Sequence, residues 1–226
     1  MEQKKTKKPT KKARKDSRIR NVHEIRNGTL PQGYEHYIFV SYSRSGNIPE
    51  WLQNHFVPVL RKCMATLMPD EPALFVDEEI DPGSDWPDTL ANALHKSCCM
   101  VAIWTPRYFR SKWCIAEWKT MMHREKQLGL RTSDNPKGIV YPIIYADGTS
   151  FPDEAKRTQY RRDFKQFAYP YEVFKHSERY LHFHDQVSNM AEELVERMKT
   201  VPKWDSSWES VRPDTEPPFP PKFRRL

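Results

Sequence analysis

The sequence predicts an α/β fold: a parallel sheet of four to five short strands with helices on both faces. Three observations predict it. Runs rich in β-branched and aromatic residues recur at 37–40, 73–76, 98–104 and 138–145. The stretches between them place apolar residues with a period near 3.6. The later runs are apolar throughout rather than alternating, as expected of strands covered on both faces.

Residues 37–40 form the first strand, and the polar, turn-rich stretch 41–47 reads as the loop that follows it. A helix begins near Pro49 and continues to about 67. Its apolar line is Trp51, Leu52, Phe56, Val59, Leu60, Cys63, Met64 and Leu67, and Pro58 predicts a kink or break within it. The second strand, 73–76, leads into a long acidic loop, 77–87, with Pro82-Gly83 as a turn signal. A helix over about 86–96 follows, with Asp85 as N-cap and Pro87 in its first turn. The third strand spans 98–104, and a helix capped by Ser111 runs to about 129. In the fourth strand, 138–145, Pro142 argues for an edge position or a short strand. A short edge strand is placed near 164–169. The last helix, 177–200, shows an apolar line of Tyr180, Phe183, Val187, Met190, Ala191, Leu194, Val195 and Met198.

For strands so arranged, the flavodoxin-like order 2-1-3-4-5 is the leading choice. In it, the crevice outside the carboxyl ends of strands 1 and 3 gathers the loops at 42–44 and 111–117, with the acidic loop beside them.

Composition divides the chain into a basic N-terminal arm (1–33), a domain (34–200) and a Pro- and aromatic-rich tail (201–226). The first twenty residues hold ten Lys/Arg against two acids, so the chain's net charge of +7 belongs to the arm and the remainder is near neutral. The arm has almost nothing apolar to bury, which predicts disorder. It suits nucleic acid or an acidic partner through its charge, or serves only as a solubilising extension. No run reaches the roughly 18 apolar residues of a membrane span, and the start lacks a signal-peptide core, so a cytoplasmic protein without membrane attachment is expected. The four cysteines (Cys63, Cys98, Cys99, Cys114) sit in apolar context with no CxxC pair, as reduced buried thiols do.

Seven glycines in 226 residues, with no GxGxxG, GxxxxGK or HExxH, leave no phosphate cradle and no zinc motif. His182 and His184 diverge by about 200° around a helix, so no metal site is expected. An aspartate at the end of strand 3, which a phospho-receiver needs, is replaced by Trp104-Thr105. What remains is Glu117 with Trp113 one helical turn before it, the aromatics Tyr42 and Trp86, and the cation Arg44. Two readings of Glu117 stand: a surface carboxylate flanked by core tryptophans, or an acid facing a sugar. The set suits cleavage of a nucleotide N-glycosidic bond, in which a fixed carboxylate stabilises an oxocarbenium-like ribose.

These residues resemble a family. The segments YIFVSYSR (37–44), FVDEEIDPGSDW (75–86) and SKWCIAE (111–117) are similar, in that order, to the three boxes of TIR (Toll/interleukin-1 receptor/resistance) domains, bacterial ones in particular. The resemblance covers about 34–200. It implies a flavodoxin-like fold and, for many members, cleavage of NAD+, as substrate rather than cofactor, to nicotinamide and linear or cyclic ADP-ribose. It also implies Glu117 as the catalytic residue, and a substrate-binding set of Tyr42, Ser43, Arg44, Asp77, Trp86 and Trp113. A loop carrying Glu79, Asp81, Pro82 and Gly83 would mediate TIR self-association and complete a neighbour's site. Activation by assembly or by a partner protein, in anti-phage defence, follows from the bacterial likeness. The same resemblance admits a non-catalytic TIR–TIR adaptor as the alternative.

Overall fold

The computed structural model describes residues 31–77, 86–133, 137–158 and 161–211, with Trp86 and Pro87 defined in backbone only. The expected arm up to residue 30, the loop residues Glu79, Asp81, Pro82 and Gly83, the Asp85 cap and the tail beyond 211 lie outside the described residues.

The sheet has five parallel strands: β1 (His36–Tyr42), β2 (Leu74–Val76), β3 (Ser97–Trp104), β4 (Val140–Ile144) and β5 (Arg162–Asp163). Their order is β2-β1-β3-β4-β5, the expected one. β3 is buried at every position, which explains its unbroken apolar sequence. Between strands run α1 (Ile48–Trp51), α2 (Val57–Leu67), α3 (Trp86–His95), α4 (Lys112–Gln127) and the single turn α5 (Asp153–Lys156), and α6 (Glu178–Met198) follows β5. The helix α6 packs along α2 and buries Phe183, Val187, Met190, Ala191, Leu194 and Met198 of the predicted line, while Tyr180 and Val195 are partly buried against the core.

Three local differences from the sequence reading have physical causes. β1 is longer than 37–40, because Ser41 and Tyr42 continue the ladder opposite Ala102 and Ile103 of β3. The edge strand is Arg162–Asp163 rather than 164–169: Phe164 donates its N–H to Ile144 O at 2.8 Å, and the chain then turns so that Phe164 and Phe167 enter the core. The division expected at Pro58 falls just ahead of it, and the helix runs as two α segments. A wide, π-type turn over Leu52–Phe56 joins α1 to α2, and Pro58 falls in the first turn of α2, where a missing N–H is tolerated.

Pro142 sits in an interior strand of only five residues. Tyr145 donates its N–H to Trp104 O of β3. By the alternation of a strand, the Pro142 nitrogen therefore faces the other way, toward β5, whose pairing begins only at Ile143. No ladder bond is lost.

Residues 201–211 lie against the domain. Trp204 donates its backbone N–H to Gln32 O (3.2 Å) and its indole N–H to His95 O (3.0 Å). Trp208 lies over the Arg124 guanidinium at 4.5 Å. That guanidinium, itself buried, donates to Ser97 O and His95 O. Val211 donates its N–H to Thr120 Oγ1 at 2.8 Å. The four cysteines are free and buried.

Candidate active site

The chain order reverses between β1 and β3, and the segments leaving the carboxyl ends of those strands flank one crevice. Ser111 caps α4 as its sequence suggests, with Oγ accepting the Cys114 N–H at 3.3 Å. The cap fixes where the helix begins, and so sets Glu117 in its second turn, facing the end of β1.

Glu117 is buried, with 8% of its surface exposed. Ser41 Oγ, in β1, donates to its Oε2 at 2.5 Å. Ser41 Oγ also lies 2.8 Å from the hydroxyl of the fully buried Tyr108. Tyr108 occupies a single 3-10 turn (Tyr108–Arg110) between β3 and α4. The turn is started by Thr105, whose Oγ1 accepts the Tyr108 N–H at 3.1 Å. Burial pushes the Glu117 carboxyl up to about 8, from an ordinary 4.5. The Ser41 hydrogen bond and the Arg44 charge pull it down, while the Asp77 charge adds to the rise.

Asp77, at the end of β2, is also raised, first by burial. Arg44 and Tyr42 act in the opposite direction. Arg44 grips it twice, with Nε to Oδ2 at 2.8 Å and a terminal nitrogen to the Asp77 carbonyl at 3.3 Å. Cys114 donates its thiol to Tyr42 O at 3.4 Å, tying the start of α4 to the end of β1. Its thiol is raised, first by burial and then by the Glu117 charge.

Of the residues singled out in sequence, the structure thus brings Glu117, Arg44 and Asp77 together, with Tyr42 buried beside them. Ser43 is buried in the same loop, its Oγ 2.9 Å from Ser45 Oγ. Trp113 lies one turn before Glu117 on α4, half-buried and packed on the core. The backbone of Trp86 begins α3, and its side chain lies outside the described atoms. Sequence reasoning missed Ser41 and Tyr108. Ser41 reads as a loop serine unless the strand is carried two residues further, and Tyr108 sits three residues before the helix cap.

Two surface depressions lie away from this crevice. One, of about 490 Å3, is lined by Phe109, Arg110, Ile115, Trp118 and Lys119, among others. The other, of about 460 Å3, lies among Tyr169, Tyr171, Val173 and Phe174 at the start of α6. No group of three or more potential metal ligands occurs among the described residues.

A TIR-domain family model matches residues 38–168. The chain belongs to the TIR-domain family. Among solved structures, this TIR domain is similar to that of the Toll-related receptor TRR-2 from Hydra magnipapillata. The identity there is 15%, with 67% of this chain and 98% of that one covered and a TM-score of 0.43. It is also similar to the TIR domains of the activated Roq1 resistosome that directly recognises the pathogen effector XopQ, at 16% identity. That likeness covers 69% of this chain and 82% of that one, with a TM-score of 0.36. Among curated proteins no match is found. Of the three boxes of the TIR sequence, 37–44 covers β1 and the loop after it, 75–86 begins at the end of β2 with its residues 78–85 outside the described ones, and 111–117 opens α4. Among the described residues, no helix of this TIR domain is long and apolar enough to cross a membrane.

Proposed function

We propose that this TIR domain hydrolyses or cyclises NAD+ at the nicotinamide–ribose bond, with Glu117 as the catalytic carboxylate. One observation supports the reading above the others: Glu117 is a buried carboxyl, pushed up to about 8 by desolvation, placed outside the carboxyl ends of β1 and β3. Such a group is neutral at pH 7 while the crevice is empty, and a cation brought against it favours the carboxylate. NAD+ supplies that cation. Its pyridinium bears the positive charge before reaction, and the ribose takes it over as the C1′–N bond breaks. The bonding pair leaves with nicotinamide, which departs neutral and needs no proton. The ribosyl cation is then captured by water, which loses its proton to solvent, or by a nucleophilic nitrogen of the same molecule. A carboxylate worth little in water acts strongly in a desolvated site.

Tyr42, Ser43, Trp86 and Trp113 are proposed to hold the nicotinamide end, and Arg44 with Asp77 the nucleotide side. Because Arg44 already grips Asp77, a substrate phosphate must compete with that carboxylate. Self-assembly through the loop bearing Glu79, Asp81, Pro82 and Gly83, activation by assembly or a partner protein, and a bacterial anti-phage setting in the cytoplasm complete the proposal.

The test is incubation of concentrated protein with NAD+ and mass spectrometry of the products. Wild type should release nicotinamide together with linear or cyclic ADP-ribose, and Glu117→Gln should release at least a hundredfold less. The pH dependence of kcat/KM should rise to a half-point near 8, and kcat, read on the cation-loaded enzyme, should reach half its maximum at lower pH. Undiminished turnover by the glutamine variant would remove Glu117 from the chemistry. The exposed Tyr169, Tyr171 and Val173 around the 460 Å3 groove favour a second reading, an association module. Inertness toward NAD+ combined with concentration-dependent oligomers would select it.

A further inference from the structure

Resting on the reading of Glu117 as the catalytic carboxylate, we infer that Ser41 and Tyr108 are positioning residues: a two-hydroxyl relay that keeps Glu117 Oε2 permanently hydrogen-bonded and leaves Oε1 as its working oxygen. The inference comes from counting donors. The Tyr108 hydroxyl is buried, and among the described residues its one hydrogen-bond neighbour is Ser41 Oγ, at 2.8 Å. A buried phenol must place its hydrogen on an acceptor, and Ser41 Oγ is the acceptor within reach. The single hydrogen of Ser41 is then free to point one way only, toward Glu117 Oε2 at 2.5 Å.

The direction of the relay therefore does not depend on the state of the carboxyl. Oε2 accepts from Ser41 when Glu117 is ionised, and it accepts also when Glu117 is protonated. In the protonated form the hydrogen cannot lie on Oε2 facing a donor, so it lies on Oε1. Ionisation then releases the proton from the oxygen not held by the relay, and the negative charge left behind needs no side-chain rearrangement. Ser41 is fixed in turn by the β1–β3 ladder, opposite Ala102, and Tyr108 by the Thr105 turn, so both hydroxyls stand on rigid backbone. The other titratable groups facing Glu117, namely Asp77, Arg44 and the Cys114 thiol, act on it through charge and leave this donor count unchanged.

The experiment is pH-difference infrared spectroscopy of the whole chain without substrate, with the Glu117 carbonyl band identified by its loss in Glu117→Gln. In the wild type that band should show a hydrogen-bonded carbonyl. In Ser41→Ala it should move to higher frequency, and the acid constant of Glu117 should fall about tenfold, the difference between a hydrogen bond to a charged and to a neutral carboxyl. Tyr108→Phe keeps the packing of the ring and should lower the acid constant about threefold, so the relay is tested even where the alanine variant does not fold. A band and midpoint unmoved in the variants that fold would overturn the relay. Nicotinamide release is measured in parallel, where Ser41→Ala should lower kcat about ten- to a hundredfold with little change in KM. A shifted band in a protein that never releases nicotinamide would keep the relay and sink the NAD+ reading. Full turnover with a shifted band would keep the hydrogen bonds and overturn their role in positioning.

Discussion

Replacing Glu117 by glutamine should change how stability depends on pH, whatever the substrate. The side chains are nearly isosteric, and the amide oxygen can still accept from Ser41. Glutamine, however, never titrates. The carboxyl rises from an ordinary 4.5 to about 8 on folding, chiefly through burial. Between those values the native state holds a proton that the unfolded chain has released, so stability falls as pH rises across that window. At about 1.4 kcal/mol per pH unit, the full effect approaches 5 kcal/mol above pH 8. That is a large share of the ~5–15 kcal/mol that holds a typical domain. Below pH 4.5 both states carry the proton and the stability contributed by the raised carboxyl is fully present. The assay is urea unfolding of both proteins at intervals from pH 4.5 to 9, taking the difference at each pH so that all other titrations cancel. The glutamine variant should gain on the wild type steadily from pH 5 to pH 8 and then level off. A difference that stays flat across this range would mean that Glu117 is not held as a buried acid, and the argument for its chemistry would fall with it.

Two further perturbations address the C-terminal strap. Trp208→Ala strips the aromatic face from the buried Arg124 guanidinium and should cost about 3 kcal/mol in urea unfolding, with Trp208→Phe costing less than half as much. Gly33 has φ +95°, and a Cβ there would stand 2.9 Å from Trp204 Cβ. Gly33→Ala should therefore lower thermal stability by about 2–3 kcal/mol, measured by calorimetry, and an unchanged melting temperature would show that the strap is not seated at that point.

The sheet order was legible because its strands are short apolar runs separated by periodic stretches, and those local patterns survive folding. Ser111 was legible as a cap because capping is decided within three residues. Ser41 was not. A hydroxyl after a hydrophobic run reads as the start of a turn, and its reason to be buried is a carboxylate 76 residues away. Tyr108 escaped for the same reason, since its partner lies 67 residues upstream. Arg162 and Asp163 carry no strand signature, because two ladder positions ask little of their side chains. The aromatic residues after them looked like the strand but serve as plugs for the core. Trp204 and Trp208 stood out among prolines, yet nothing local indicates that His95 and Arg124 receive them. What sequence conceals in this domain is partnership across distance, and the candidate site is made largely of such partnerships.

The wide turn ahead of Pro58 decides which changes this helix tolerates. A π-type turn is one residue more than an α-helix needs, and here that residue sits between Trp51, whose indole N–H reaches Phe167 O at 2.7 Å, and the proline. Deleting one residue from 52–56 while keeping Pro58 would drive the pyrrolidine ring into the carbonyl four positions back. Replacing Pro58 alone would leave an unneeded bulge with nothing to accommodate. The proline thus depends on the extra residue, whereas the extra residue does not depend on the proline. Loss of the extra residue would shift Trp51 and the loop before it, where Asn47 Oδ1 accepts from the Tyr145 hydroxyl. A small irregularity in one helix thereby lets a proline sit where a regular α-helix would reject it.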